Sequence, residues 1–184
     1  TGEISISFGY AIKNELETKI YDIIKSAEDF MYRSKTLESP TYKKSAIEAM
    51  MNTLYEKDKL SEMHSHIVSE ICKKFGIHLS FSKSQIEELE TAGLLHDICK
   101  IIIPTHIIQK KSSLTKEEYF EMKKHSEIGF RILKSLEYMS EIATIVLHHH
   151  ERFDGKGYPK GLSGDKIPIQ SRIIAIVDAF VLMT

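Results

Sequence analysis

Two stretches of the sequence concentrate side chains that can bind metal ions. In AGLLHDICK, His96 and Asp97 end an apolar segment, and in HHHERFDGKGYPKG, residues 148–161, three histidines precede a loop with three glycines. Ionisable groups at the end of an apolar helix are costly unless something neutralises them, and a metal ion does so. The two stretches therefore suggest metal-assisted chemistry.

Other candidate ligands lie on segments with helical periodicity. His64 precedes the first stretch, His125 lies in KKHSEIG, and Asp178 interrupts the apolar run RIIAIVDAF. A buried aspartate at such a position is costly unless it is paired or metal-bound, although a satisfied core or capping aspartate is an alternative. The candidate ligands are five imidazoles and two carboxylates: His64, His96, Asp97, His125, His149, His150 and Asp178.

This mixture of imidazoles and carboxylates suits borderline transition metals such as iron or manganese. The set is too large for one ion, so we expect two divalent metal ions bridged by a carboxylate, an arrangement that favours phosphoester chemistry. A lone histidine is more often a surface or core residue than a ligand. We therefore assign structural roles to His66, His78 and His106.

The segments that position these residues are mainly helical in pattern. We predict helices over about 41–57, about 60–75, from Ser84 through GLLHD, from Thr115 to about 135, over about 139–150, and from Pro168 onward. Gly76 is expected to end the second of these helices, and Ser84/Glu87 and Thr115/Glu118 are expected to form capping boxes. The triple histidine falls on the last turn of the helix over 139–150.

The N-terminal region has a different pattern. Residues 3–11, EISISFGYA, alternate between apolar and polar side chains and predict a strand, followed by a helix over 15–35. Because a lone strand cannot satisfy its own edges, residues 1–38 are expected to be the end of an α/β domain with a linker. Residues 39–184 then form a helical domain. The chain begins with Thr1 rather than Met, so we expect it to be part of a longer protein.

Composition narrows the class of protein. A hydrophobic content of 42% with 28% charged residues indicates a globular chain, and a net charge of −1 argues against binding nucleic acid polymers or membranes. No apolar run approaches the roughly 20 residues that cross a bilayer. The two cysteines, Cys72 and Cys99, form no spacing motif and suggest reduced thiols in the cytoplasm, in the cytosolic part of a larger signalling protein.

The order of His64, His96-Asp97 and Asp178 resembles the H…HD…D pattern of the HD phosphohydrolase superfamily. LLHDICKIIIP together with HHERFDGKGYPKGLSGDKIP is similar to the HD-GYP family, over roughly residues 41–184. This resemblance implies an HD-type helical bundle, mainly α. It also implies metal-dependent hydrolysis of cyclic dinucleotides, chiefly cyclic di-GMP, in bacterial second-messenger signalling.

The N-terminal ISISFGYAI and IIKSAEDFMYRSK are similar to the last strand and helix of a GGDEF domain. The nucleotide-binding part of such a domain is absent from the sequence, so no synthase activity is implied. A homodimer or a GGDEF-domain partner is the expected assembly.

The HD-GYP resemblance also implies roles for individual residues. The seven candidate ligands hold the metals, Asp97 bridges them, and Lys100 lies near the attacked phosphate. Gly157, Tyr158 and Pro159 form a lip over the metals, in which Tyr158 contacts a guanine or belongs to a rigid packed turn. The remaining candidates, Glu151 and Asp154, orient ligand imidazoles or face solvent.

The sequence departs from the family pattern at several positions. Cys99 stands where the family usually has a glycine, and its thiol can be oxidised or crowd the site. Leu60 stands where some members have a glutamate that helps hold a third metal, so two ions are expected here. Val181 and Leu182 also differ. The arginine-bearing segment that usually follows and binds substrate phosphates is missing, so residues 39–184 are expected to be a C-terminally truncated domain with reduced substrate affinity. A general HD nucleotidase, or a weakly active sensor or interaction module, remains an alternative.

Overall fold

The computed structural model describes residues 10–12, 20–38 and 40–183, and most of them are helical. In chain order their α-helices are α1 Ile20–Glu38, α2 Pro40–Lys57, α3 Lys59–His78, α4 Lys83–Leu95, α5 Thr105–Ile108, α6 Lys116–Lys134, α7 Ser140–Leu147 and α8 Ile169–Met183. Short 3₁₀ helices span Ile98–Ile102, Glu137–Met139 and Gly164–Lys166. Mainly helical architecture is thus confirmed.

The predicted N-terminal strand cannot be compared over most of its length. Residues 1–9 lie outside the described part of the chain, and residues 10–12 carry no strand. Within the described ranges the one β-type pairing is an isolated antiparallel bridge between Asp154 and Ser163. Of the predicted helix over 15–35, the structure describes the part from Ile20, which continues to Glu38.

The chain divides into two compact units, Thr1–Ala49 and Met50–Thr184, and all candidate site residues belong to the second. The predicted boundary between residues 38 and 39 stays a prediction. Within the second unit, α3 packs on α4 and α8, α4 packs on α7, and α6 packs on α7 and on Ile98–Ile102. Fully buried aliphatic side chains such as Val68, Leu89 and Ile174 fill the spaces between these helices. No helix in the described ranges is both long and apolar enough to cross a membrane.

Gly76 does not end a helix as predicted. Helix α3 continues through it to His78 and is capped at Leu79. A Cβ atom at Gly76 would lie 3.2 Å from Cγ1 of Ile86 on α4. The glycine is therefore buried where α3 and α4 approach closely, and packing rather than chain termination explains it.

Two predicted capping boxes have different outcomes. The box at Thr115 and Glu118 is confirmed, since each side chain bonds the backbone N–H of the other residue. The box at the start of α4 was placed two residues too late. Ser82 and Gln85 form it, and the helix begins at Lys83. Both boxes satisfy backbone donors that a helix N-terminus leaves unpaired.

Candidate metal centre

The seven predicted ligand residues come together in two adjacent groups in the second unit. In the first group, one ligand atom from each of Asp97, His125, His149 and His150 lies within 4.8 Å of the others. In the second group, the same holds for His64, His96 and Asp178. The chain thus supplies two clusters of imidazole and carboxylate groups, each with at least three ligand atoms.

The ends of helices supply most of these side chains. Helix α4 ends at Leu95, so His96 caps it and Asp97 precedes the next 3₁₀ helix. Helix α7 ends at Leu147, and residues 148–150 form the turn that follows. The expectation that the triple histidine lies on a helical turn was therefore wrong. In the turn, His149 is fully buried and His150 is partly exposed.

Asp97 lies between the two groups. Its Oδ1 is 3.5 Å from Nε2 of His125, and its Oδ2 is 3.2 Å from Nε2 of His96. Each carboxylate oxygen therefore faces a different group of ligands. In the second group, Asp178 Oδ1 lies 3.0 Å from Nε2 of His64 and 3.9 Å from Nε2 of His96.

Backbone carbonyls orient three of the imidazoles. The Nδ1 atoms of His96, His125 and His149 lie 2.7, 2.7 and 2.6 Å from the carbonyl oxygens of Gly93, Met122 and Val146, respectively. A carbonyl only accepts, so Nδ1 carries the proton and Nε2 presents a lone pair to the centre. This is the tautomer that binds metal through Nε2.

The polar atoms at the centre require a cation. Nε2 of His96 and Oδ1 of Asp97 are buried and have no hydrogen-bond partner. Nε2 of His150 also lies 3.2 Å from Nε2 of His125, so two ring nitrogens meet at hydrogen-bond distance. Lone pairs that converge in a buried site are costly unless a proton or metal ion lies among them. The residues therefore fit divalent metal ions.

Electrostatics favour the metal-binding protonation states of His149, His150 and Asp97, whereas they favour the protonated form of His96. Burial, reinforced by the neighbouring imidazoles, lowers the pKa of His149 to about 3 and also lowers the pKa of His150. Burial alone would raise the pKa of Asp97, but Lys100 and His96 hold it well below its ordinary value. Burial opposes the protonation of His96, yet the charge of Asp97 gives a net rise in its pKa, so this position attracts a cation. Neutral imidazoles and an ionised carboxylate are the metal-binding forms.

Lys100 points its ammonium at the centre. Its Nζ lies 2.5 Å from Oδ2 of Asp97, and this charge raises the pKa of Lys100 although burial opposes the rise. At the end of the 3₁₀ helix that carries Lys100, Lys57 donates a 2.8 Å hydrogen bond to the carbonyl of Ile101 and a second to that of Ile103. Sequence reasoning missed Lys57, because a lysine that binds backbone carbonyls leaves no pattern of residue types.

The loop after the triple histidine folds back over His150. The Tyr158 ring lies 4.7 Å from the His150 ring, centroid to centroid, at an interplanar angle of 30°, and the Tyr158 N–H donates to the carbonyl of His150 at 3.2 Å. The Tyr158–Pro159 peptide is cis. A Cβ at Gly157 would lie 2.3 Å from the Arg152 nitrogen, so only glycine permits this close approach. Tyr158 is thus part of a packed turn and lies against the His150 ring.

Glu151 and Asp154 do not orient ligand imidazoles. Glu151 is buried and accepts hydrogen bonds from the backbone N–H groups of Lys160 at 2.7 Å and Leu162 at 3.0 Å. Asp154 is exposed and pairs with Arg152. Both carboxylates organise the loop, whereas backbone carbonyls orient the imidazoles. His148, whose Nδ1 lies 3.6 Å from Glu151, belongs to neither ligand group.

Two residues near the site, Cys99 and Leu60, differ from the family pattern, and neither supplies a ligand atom to the two groups. Cys99 is buried, and its Sγ would lie 3.8 Å from a Cβ at Gly129 on α6. The thiol therefore packs against α6, and it belongs to neither of the ligand groups found among the described residues. Leu60 has 73% of its surface exposed and supplies no ligand atom in place of the glutamate.

Comparison with known proteins places this geometry in a family. The family model described as HD domain matches residues 22–184, and the chain therefore belongs to the HD domain family. A solved structure described as Bd1817, a HDG"Y"P protein from Bdellovibrio bacteriovorus, superposes with a TM-score of 0.63. It is 19% identical and covers 94% of this chain and 64% of its own, which shows a shared fold. The family match begins within residues 1–38 and lends no support to a GGDEF-like remnant there.

Several curated proteins are similar in sequence. A cyclic di-GMP phosphodiesterase of Thermotoga maritima is 37% identical over 170 residues, covering 90% of this chain and 44% of that protein. The cyclic di-GMP phosphodiesterase response regulator RpfG of Xanthomonas campestris pv. campestris is 38% identical, covering 65% and 31%. A 3'3'-cGAMP-specific phosphodiesterase of Vibrio cholerae is 36% identical, covering 73% and 31%. The chain spans less than half the length of these relatives.

Proposed function

We propose that this chain is a metal-dependent phosphodiesterase of the HD-GYP type that hydrolyses cyclic di-GMP. The observation that carries the proposal is the position of Asp97, whose two oxygens lie 3.2 and 3.5 Å from histidines of two different ligand groups. A carboxylate between two such groups suits two divalent ions. Relatives named as cyclic dinucleotide phosphodiesterases support the substrate class.

The seven residues of the two groups would hold two ions, iron or manganese. Asp97, His125, His149 and His150 would hold one, and His64, His96 and Asp178, together with Asp97, would hold the other. Bound divalent ions supply Lewis acidity at phosphate oxygens and lower the pKa of water towards neutrality. Leu60 in place of a glutamate supports two ions rather than three.

The chain's own residues prepare the site for this chemistry. Ionised Asp97 offsets part of the repulsion between two cations, and neutral histidines supply lone pairs without adding charge. Lys100, whose Nζ is within 2.5 Å of Asp97, places a positive charge where a phosphate or a departing oxygen accumulates negative charge. Gly157, Tyr158 and Pro159 cover the ligands on the side of His150 and help exclude water.

The finer assignments rest on the relatives and the sequence pattern. The relatives differ between cyclic di-GMP and cGAMP, and we place this chain with the former because two of those compared above carry that name. We infer a cytoplasmic location. The resemblance to the HD-GYP family implies a cyclic dinucleotide substrate, and such second messengers act inside the cell. The predicted homodimer or GGDEF-domain partner is retained as part of this proposal.

The test is turnover by protein loaded with iron(II) or manganese(II). We expect conversion of cyclic di-GMP to the linear dinucleotide or mononucleotide, detected by chromatography, and loss of that conversion after chelation. Asp165→Asn, which changes a carboxylate side chain that is 92% exposed, is a matched control for Asp97→Asn. Turnover of mononucleotides alone would identify a general HD nucleotidase, and tight binding without turnover would identify a sensor.

A further inference from the structure

A small cavity adjoins the metal centre. It has a volume of about 180 Å³ and is lined by Phe120, Lys123, Lys124, Glu127, Tyr158 and Pro159. Tyr158 belongs both to this cavity and to the cover over His150. A ligand whose phosphate lies at the metals would place an attached group in the cavity if that group passes the Tyr158 ring, which the two places share.

The cavity walls suit a planar aromatic group. The ring of Tyr119 stands edge-on to Tyr158 at 6.2 Å between centroids, and Nζ of Lys123 lies 5.8 Å from the Phe120 centroid and 5.9 Å from that of Tyr158. Aromatic side chains of this kind provide stacking surfaces for nucleobases. The cavity is smaller than the roughly 300 Å³ at which drug-sized pockets begin, so it suits one base rather than a whole dinucleotide.

The polar groups in the cavity carry opposite charges one helical turn apart. Lys123 and Glu127 stand at positions i and i+4 of α6, on the same face of the helix. Lys124 is engaged by Glu121 at 2.5 Å, whereas Glu127 has a looser contact of 3.7 Å with Lys160, and the Glu127 side chain is 50% exposed. Glu127 therefore keeps carboxylate oxygens for a donor that enters the cavity.

This pair of charges matches guanine better than adenine. Guanine presents an N–H and an amino group on one edge and the acceptors O6 and N7 on another. A carboxylate accepts from the first edge, and an ammonium donates to the second. Adenine has a ring nitrogen with a lone pair where guanine has its N–H, so the carboxylate would face a second acceptor.

We propose that Glu127 is a specificity-determining residue that selects guanine over adenine at one base of the cyclic dinucleotide. Lys123 donates to the acceptor edge of that base while the base stacks between Tyr158 and Phe120. This assignment rests on the proposed phosphodiesterase function and adds a base preference to it. It concerns recognition only, since Glu127 is not a metal ligand.

The test compares cyclic di-GMP with cyclic di-AMP in the parent and in Glu127→Gln. Glutamine keeps the shape but replaces one acceptor by a donor, so the ratio of kcat/KM for the two substrates should fall at least about fivefold. Glu70→Gln is the control. Glu70 on α3 does not line this cavity, and it forms a comparable exposed ion pair in which its Oε1 lies 2.8 Å from Nζ of Lys74. Lys123→Met should shift the ratio in the same direction.

A binding measurement separates this proposal from the activity. Equilibrium dialysis of metal-loaded protein against the phosphorothioate analogue of each dinucleotide, which resists hydrolysis, gives a ratio of dissociation constants that needs no turnover. If the parent hydrolyses neither dinucleotide, the phosphodiesterase proposal fails and the ratio of dissociation constants alone decides the role of Glu127. A ratio unchanged in Glu127→Gln, or no saturable binding of either dinucleotide by the parent, overturns the assignment.

Discussion

Nε2 of His96 lies 3.2 Å from Oδ2 of Asp97, although the hydrogen bond from His96 Nδ1 to Gly93 leaves that Nε2 as an acceptor. Two acceptors face each other in a buried place, which is unfavourable without a cation between them. The contact therefore favours a proton or a metal ion between His96 and Asp97.

Asp97→Asn should lose metal and turnover together. Asparagine keeps the shape but loses the negative charge and one good ligand oxygen, and both ligand groups contact this residue. We expect metal affinity to fall by more than the roughly 10–100-fold that loss of an outer hydrogen-bond partner costs. Metal content by mass spectrometry after dialysis, with circular dichroism for helicity, checks this. Two retained metals with parent turnover would refute a bridging role.

His125→Ala should cost less than Asp97→Asn. His125 contacts only one of the two groups, and its loss removes no negative charge from between the cations. We expect one ion to be retained per chain at metal concentrations that leave Asp97→Asn empty. A metal titration followed by thermal unfolding measures this, because bound metal stabilises the folded state by mass action. If His125→Ala and Asp97→Asn lose the same amount of bound metal, Asp97 does not contribute to both ions.

The two thiols should be unreactive in the folded protein. Burial raises the pKa of Cys72 and of Cys99 to about 12 from an ordinary value near 9. The nucleophilic form of a thiol is the thiolate. At pH 8, a thiol with a pKa of about 12 contains about a thousandfold less thiolate than a thiol with a pKa near 9. Ellman's reagent should therefore label neither thiol in native protein and two per chain in guanidinium chloride. Rapid labelling of the native protein would mean that a thiol is reactive in the folded state and that Cys99 can be oxidised.

Gly157→Ala should open the loop over His150. The added Cβ would lie 2.3 Å from the Arg152 nitrogen and 2.5 Å from Cα of Glu151, so the backbone must move. We expect turnover to fall while the metals stay bound, and the free energy of unfolding to fall by roughly 1–3 kcal/mol. Urea unfolding and metal analysis check this, with the exposed Lys156→Ala as the control. Parent values in both measurements would mean that the loop tolerates the methyl group.

Residue types predicted which side chains come together in the two groups, and that they bind metal stays a prediction. The sequence did not predict the backbone groups around them. His96, Asp97 and Asp178 could be found because ionisable groups in apolar segments need a neutralising partner. The carbonyls that orient the imidazoles could not, because every residue carries a carbonyl. For Glu151 the sequence left two roles open, orienting an imidazole or facing solvent. Neither describes its bond to the Lys160 N–H, because the sequence does not show that the loop folds back to place Lys160 beside it.

The same limit explains the helix ends. Helix α7 stops at Leu147 without a glycine, so periodicity carried the predicted helix through residues 148–150. Gly76 had the residue type of a helix end but lies inside α3, where α4 packs too closely for a side chain. The packing of α4 against Gly76 is a tertiary contact that a single sequence does not reveal.

Lys100→Met separates two roles for the ammonium beside Asp97. If Lys100 stabilises charge on the substrate phosphate, kcat should fall about 10²–10³-fold, as it does when one preorganised donor is removed, while the metal content stays at the parent level. If Lys100 only keeps Asp97 ionised, its removal should raise the pKa of Asp97, because Lys100 lowers that pKa. Metal would then be lost at a higher pH than in the parent as the pH is lowered. Measuring kcat and bound metal across pH distinguishes these outcomes, with Lys156→Met as the exposed control. Parent kcat and an unchanged pH profile of metal retention would remove Lys100 from the mechanism.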